Sequence, residues 1–319
     1  MKHQLVFNKK GSELLRSLKL NGGIMQGLII ENISNLYKIE IENKQIYKAT
    51  ARGKLKKDEI SPVVGDVVEV QILDKENKKA VIEKIMPRKV YIKRPKLANI
   101  TQIVFVVSSK NPKPDLMMLD KQLVFAEFLG VQAIIVLNKT DLDKDKQFKE
   151  IKQIYGKIGY HVIETEAKNK IGIDNLKKAL KNNINAFSGN SGVGKSTLIN
   201  AIFDDKITQE GEISKKNKRG KNTTTSIKLY KINENTYIAD TPGFSTFDIS
   251  EIESKDLALY FKEFKENISN CEFVGCTHIK EENCGIKEAI EEGKIDKSRY
   301  ERFCKIYQEL KEKEGYKKW

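Results

Sequence analysis

The sequence predicts a multidomain α/β protein: an N-terminal five-stranded OB-fold barrel, a circularly permuted P-loop domain and a C-terminal helical zinc-binding domain. Three observations carry that prediction. Short, turn-punctuated β segments fill residues 26–92, as in a small closed barrel. Strands then alternate with helices to about residue 247. Within that stretch a glycine-rich loop, Gly189–Ser196, lies downstream of Asn138-Lys139-Thr140-Asp141, the reverse of the usual order of these two motifs. Finally, three of the four cysteines crowd around one of the three histidines between residues 271 and 284. The expected spans are 1–24 for a weakly ordered extension, 25–94 for the barrel, 95–248 for the permuted domain and 249–319 for the helical domain.

Within the extension, Leu14, Leu15, Leu18 and Leu20 suggest a short amphipathic helix that Asn21-Gly22-Gly23 breaks, leaving Met25 as an alternative start. The barrel strands are expected at Gly27–Glu31, Leu36–Ile41, Gln45–Ala51, Asp66–Ile72 and Ala80–Ile85, with an SH3-like barrel as the alternative closure. Arg52, Lys54, Lys56 and Lys57 form a basic loop, read either as a nucleic-acid contact or as a solvated turn. In the α/β stretch, Ile103–Val107 and Ala133–Leu137 are continuous apolar runs, the pattern of strands covered on both faces. Leu116–Leu129 between them has helical spacing. Further helices are expected at Gln147–Ile158, Asp174–Leu180 and Ser196–Phe203. Further strands are expected at Val162–Thr165, Ala186–Ser188, Ile227–Tyr230 and Tyr237–Ala239.

Composition narrows the function classes. Lys and Arg number 58 against 44 Asp and Glu, a net charge of +14. That excess favours a polyanionic partner, nucleic acid first and an anionic membrane second, although a Lys-rich proteome produces the same balance. No apolar run approaches the roughly 18 residues of a membrane span. Lys2, Lys9, Lys10, Arg16 and Lys19 are scattered through a start that has no unbroken apolar stretch, unlike a secretory signal. The clustered cysteines suit a reducing compartment and a metal better than a disulfide framework. A cytoplasmic monomer without a membrane partner is expected.

The strand before Gly189 and the helix after Ser196 supply the context a phosphate loop needs. Glycines let successive N–H groups face phosphate oxygens, and the helix dipole adds to the attraction. The phosphate cradle is therefore expected at Gly189, Asn190, Ser191, Gly192, Val193, Gly194, Lys195, Ser196 and Thr197. Lys195 would reach the β- and γ-phosphates, and the Ser196 hydroxyl would bind Mg²⁺. Asp141 is suited to accept from guanine N1–H and N2–H₂, a donor pair adenine lacks. Lys139 would lie along the base, and Asn138 and Thr140 complete the loop. Glu166-Ala167-Lys168 follows the next strand and would bring the Ala167 N–H to guanine O6.

Asp240-Thr241-Pro242-Gly243 ends a strand, with Asp240 suited to the Mg²⁺ water shell and the Gly243 N–H to the γ-phosphate. Thr223-Thr224-Thr225 follows a basic loop, and Thr224 is the favoured switch threonine over Mg²⁺. Phe244 stands where a hydrolytic glutamine is usual, and a phenyl ring cannot orient water, so unassisted hydrolysis is expected to be slow. Cys271-x₄-Cys276-x-His278-x₅-Cys284 supplies three thiolates and an imidazole, a full tetrahedral set for one structural Zn²⁺. Cys304, near Phe303 and Tyr307, reads as a core residue.

Together these motifs resemble the circularly permuted, ribosome small-subunit-dependent GTPase A family over residues 25–319. The resemblance implies hydrolysis of GTP to GDP and phosphate, stimulated by the small ribosomal subunit, late in its maturation. It implies rRNA as the polyanionic partner and carries the four zinc ligands over to the same four positions. Two departures stand out. Asn222 occupies the place of a histidine implicated in catalysis, and asparagine can orient water but cannot act as a base near neutral pH. Glu166 replaces the usual serine of the Ser-Ala pair. The alternative is a slow or non-hydrolysing GTP-sensing RNA-binding scaffold, motivated by Phe244 and Asn222.

Overall fold

The computed structural model describes residues 24–53, 61–207, 227–240 and 248–317. In chain order the strands of the barrel region are β1 Ile24–Ile33, β2 Leu36–Ile41, β3 Ile46–Ala51, β4 Val67–Asp74, β5 Lys79–Ile85, β6 Tyr91–Lys93 and β7 Lys96–Ala98. Then come β8 Gln102–Ser108, helix α1 Leu116–Leu129, β9 Gln132–Asn138, α2 Gln147–Lys157, β10 His161–Thr165 and α3 Ile173–Ala179. β11 Ile184–Ser188, α4 Lys195–Ile207, β12 Lys228–Asn233 and β13 Thr236–Asp240 follow, and α5 Gly285–Glu291 and α6 Lys297–Lys317 close the chain. The described residues fall into two compact units. One comprises those within Met1–Ile103, Ile173–Phe187 and Ser196–Phe244, the other those within Val104–Gly172, Ser188–Lys195 and Ser245–Trp319.

In the first unit β1, β2, β3, β5 and β4 close into a barrel through the β1–β4 pairing. Period-two burial drives it: Tyr37, Ile39 and Ile41 of β2 and Tyr47 and Ala49 of β3 point inward between exposed or half-exposed neighbours. The ten-residue β1 serves two partners. Its first half pairs with β4, from Ile24 opposite Gln71 to Leu28 opposite Val67. A register shift follows between Ile29 and Glu31, and Glu31 then pairs with Lys228 of β12. β12 runs antiparallel to β13, and β13 lies parallel to β11. Charge reinforces the joint, with Glu31 taking Lys38 at 2.5 Å and Lys228 at 3.5 Å, and Glu40 pairing with Lys231. Arg52 pairs with Glu83 of the barrel at 2.8 Å, whereas Lys54, Lys56 and Lys57 lie outside the described residues. Periodicity missed β6 and β7, which form a hairpin about Arg94-Pro95, because three residues are too few to show alternation.

In the second unit β8, β9 and β10 lie side by side, with β9 and β10 parallel. Every residue of β8 is buried, as its unbroken apolar run requires. Helix α1 starts where Asp115 Oδ1 accepts from the Met118 N–H at 2.9 Å and stops at Gly130, whose φ is +65°. The C-terminal segment packs around Phe261, Phe264 and Phe303, whose rings meet at centroid distances of 4.9–5.1 Å. Cys304 is half-buried against this core, as expected for a packing residue.

Candidate functional site

β11 delivers the chain, fully buried, into the loop Gly189–Gly194, and α4 begins at Lys195. Two glycines are required by close approach rather than by the turn alone. A Cβ on Gly189 (φ +144°) would sit 2.3 Å from the Val106 carbonyl oxygen, and one on Gly194 (φ +99°) 2.4 Å from Asn138 Nδ2. The Lys195 ammonium lies over the loop and donates to the carbonyls of Gly189 at 2.6 Å and Asn190 at 3.0 Å. Ser196 and Thr197 open the exposed first turn of α4. A shallow open cleft runs beside the loop, bounded by Val106 and Ser108 of β8, by Met118 and Gln122 of α1, and by Asn190 and Val193.

The tetrapeptide that begins at the last residue of β9 is tied directly to this loop, although it precedes it by some fifty residues. Asn138, 1 % exposed, donates from Nδ2 to the Val193 carbonyl at 2.9 Å and accepts from Thr165 Oγ1 at 3.1 Å. Its amide therefore braces three segments at once. Lys139, at φ +64°, donates from Nζ to Gly192 O and Asn111 O at 2.7 Å each and to Lys110 O at 3.3 Å. Its own carbonyl accepts from Ser109 Oγ at 2.7 Å. Thr140 Oγ1 donates to Thr165 O at 3.4 Å, and Asp141 is exposed on the turn Thr140–Leu142. The Ala167 N–H, expected to reach a base, points at Asn138 Oδ1 at 3.3 Å. Glu166 closes its loop by accepting from Asn169 Nδ2 and by pairing its N–H with Ile171 O at 3.0 Å. Sequence reasoning missed Ser109, Lys110 and Asn111. The latter two contribute backbone carbonyls, which leave no trace in residue type.

Asp240 is the last residue of β13, whose Ala239 pairs with Ala186 of β11, so it leaves the sheet at the edge from which the chain enters the phosphate loop. Thr241, Pro242, Gly243 and Phe244, and Asn222 with Thr223, Thr224 and Thr225, lie outside the described residues, as do Lys215, Lys216, Lys218, Arg219 and Lys221.

In the second unit Cys271, Cys276, His278 and Cys284 converge, their ligand atoms all within 4.8 Å of one another. His278 Nδ1 lies 3.5 Å from Cys271 Sγ and 3.4 Å from Cys284 Sγ, and the two sulfurs are 4.0 Å apart. Glu281 holds the loop by accepting from the N–H groups of Thr277, Ile279 and Lys280 and from Thr277 Oγ1 at 2.8–3.1 Å. Burial opposes its charge, but these donors prevail and hold its carboxyl down at about 2. Burial lowers the His278 pKa and pushes the Cys276 thiol up to about 12.

The family model for the RsgA GTPase matches residues 85–250, and that for the RsgA N-terminal domain matches residues 26–82. A small ribosomal subunit biogenesis GTPase RsgA from Alkaliphilus metalliredigens is 39 % identical over 91 % of this chain and 99 % of its own length. The chain belongs to the RsgA GTPase family. Among solved structures, YjeQ from Thermotoga maritima superposes with a TM-score of 0.78 at 36 % identity, covering 90 % of this chain and 98 % of that one. YloQ, described as a circularly permuted GTPase, also gives 0.78, at 27 % identity over 92 % and 98 %.

As a member of the RsgA family the protein is a GTPase, with the barrel, permuted nucleotide domain and Cys₃His cluster anticipated from sequence. The four donors fit a tetrahedral ion. Zn–S bonds of about 2.3 Å and Zn–N bonds of about 2.0–2.1 Å imply donor–donor edges of roughly 3.5–3.8 Å; the edges among Cys271, His278 and Cys284 are 3.4–4.0 Å, and those to Cys276 lie within 4.8 Å. A divalent cation would also offset the burial that disfavours the Cys276 thiolate. No described helix is long and apolar enough to cross a membrane.

Proposed function

We propose that the chain hydrolyses GTP to GDP and phosphate under stimulation by the small ribosomal subunit, late in that subunit's maturation, binding rRNA in the GTP form and leaving on hydrolysis. The observation that carries this reading is the cross-bracing of two motifs in reversed chain order. Asn138 and Lys139 donate to the carbonyls of Val193 and Gly192, so base recognition and phosphate binding form one site. The family's role in small-subunit biogenesis supports the partner, and the net charge of +14 suits rRNA.

In this reading Asp141 selects guanine, Ala167, whose N–H is turned to Asn138 Oδ1, lines the base site, and residues 189–197 cradle the phosphates. Lys195 neutralises charge that develops on the transferring phosphoryl group. Ser196, Thr224 and Asp240 would hold Mg²⁺. Bound there, Mg²⁺ would supply charge compensation to the phosphates. Gly243 senses the γ-phosphate, and Asn222 orients the attacking water. Cys271, Cys276, His278 and Cys284 hold one structural Zn²⁺. The functional spans are 25–94, 95–248 and 249–319, in a cytoplasmic monomer.

Single-turnover GTP hydrolysis with and without small ribosomal subunits tests the reading. Phosphate release is expected to be slow alone and to accelerate with subunits. GTP bound persistently with no stimulated release would instead favour the sensing scaffold that Phe244 and Asn222 suggest. Co-sedimentation should show tighter subunit binding with a non-hydrolysable GTP analogue than with GDP, weakening steeply as salt rises.

A further inference from the structure

Four charged side chains that take no part in the nucleotide site are buried together in the second unit. Arg299 is 1 % exposed and Asp120 is fully buried. Arg299 Nη1 donates to Asp120 Oδ1 at 2.5 Å, while its Nε and Nη2 donate to Glu263 at 2.6 and 3.1 Å. Arg302 Nε donates to Asp120 Oδ2, and the Tyr155 hydroxyl donates to Asp120 Oδ1 at 2.6 Å. The Arg299 guanidinium also lies over the rings of Phe261 and Tyr155, at 4.9 and 5.2 Å. Two carboxylates face two guanidiniums, so the cluster is neutral and its geometry is strongly directional.

Buried ion networks of this kind can often be replaced by apolar side chains without loss of stability, so stability alone explains them poorly. Their directionality fixes the position of one element against another. Here the fixed element is α1. Asp120 joins it to Arg299 and Arg302 on the first turns of α6, and Lys121 adds an outer tie to Glu309 at 2.5 Å. The same helix walls the cleft beside the phosphate loop with Met118, Leu119 and Gln122. Gln122 Nε2 reaches Ser188 Oγ, one residue before Gly189, at 3.4 Å. α1 thus has the loop on one side and α6 on the other.

We propose that Asp120 is a positioning residue for nucleotide retention: its clamp to Arg299 and Arg302 holds α1 against the phosphate loop, so that the C-terminal segment governs how fast nucleotide leaves. This rests on the reading that residues 189–197 bind the phosphates. A partner that moves α6 would then change the lifetime of bound GDP without touching the nucleotide.

The test is release of a fluorescent GDP analogue from the full-length chain by stopped flow. Asp120→Asn, which keeps the shape and removes the charge, and Arg299→Gln are each expected to speed release roughly 5- to 30-fold. The double variant should release no faster than the faster single, because both open one clamp. Leu310→Ala, which opens a cavity under the same helix outside the clamp, should lower the melting temperature and leave release unchanged. Tyr155→Phe removes only the hydroxyl bond to Asp120, with about a twofold gain expected, and serves if the charge variants do not fold. Wild-type release in folded Asp120→Asn or in Tyr155→Phe, or equal acceleration in Leu310→Ala, would overturn the clamp. Lys195→Ala separates the two levels. If it binds the analogue as tightly as wild type, the nucleotide reading itself fails; if it loses binding while Asp120→Asn releases normally, only the clamp fails.

Discussion

The phosphate loop and the C-terminal segment both belong to the second unit, yet they are built from opposite materials. The loop is made of backbone: glycines that admit close approach, carbonyls that hold Lys139 and Lys195, and one buried asparagine. The C-terminal segment is made of side chains: a Cys₃His cluster, three packed phenylalanines and a four-charge clamp. The difference predicts how each fails. A backbone-built site tolerates change in most of its side chains and loses function, not folding, when its few reactive ones go. A side-chain-built segment loses structure first.

The largest effect should come from the cluster. Cys276→Ser is expected to release the metal and forfeit much of the roughly 10–16 kcal/mol that such ions contribute to small domains. Residues 250–317 should become sensitive to limited proteolysis while GTP is retained, apart from any faster release that comes with opening the clamp. Elemental analysis finding the variant fully metal-loaded, or finding no zinc in wild type prepared without chelator, would break the comparison at its strong end. Next is Lys195→Ala, expected to slow subunit-stimulated hydrolysis by about 10²–10³-fold, or roughly 3–4 kcal/mol, at an unchanged melting temperature. Wild-type turnover there would remove the loop from the chemistry. Asp141→Asn exchanges a carboxylate acceptor for an amide. It should weaken GTP binding by about 2–3 kcal/mol and improve binding of xanthine nucleotides, read by fluorescent-nucleotide titration.

The smallest effect concerns the joint between β1 and β12, built of both materials. Burial disfavours the Glu31 carboxylate, but Lys38 and Lys228 outweigh it and hold its pKa below the usual range. Its contribution is therefore present above pH 4.5 and is lost as pH falls through the lowered value. Glu31→Gln should cost about 1 kcal/mol or less at pH 7, because Lys38 is 40 % exposed and solvent screens the pair. Denaturant midpoints of the two proteins should converge as pH falls below the lowered Glu31 value. A gap that widens on acidification would assign the joint to backbone pairing alone.

Local spacing along the chain encodes part of this architecture. Period-two burial located β2 to the residue and the other barrel strands to within three, and helical spacing located α1 to the residue. The motifs at 138–141, 189–196 and 271–284 were legible because their chemistry demands particular residue types at short separations. The permutation was legible for the same reason, since motif order is a property of the line. The three-residue strands β6 and β7 were too short to carry a period. The remaining features arise only on packing. Asp120, Glu263 and Arg299 are spread over 179 residues and become one cluster only when α1 and α6 pack. Nothing in a lone buried aspartate distinguishes it from a surface residue of the same helix. Lys110 and Asn111 hold Lys139 through carbonyls that every residue possesses. Local chemistry can be read along the chain, whereas the partners of a buried charge are chosen by packing, and packing depends on every element at once.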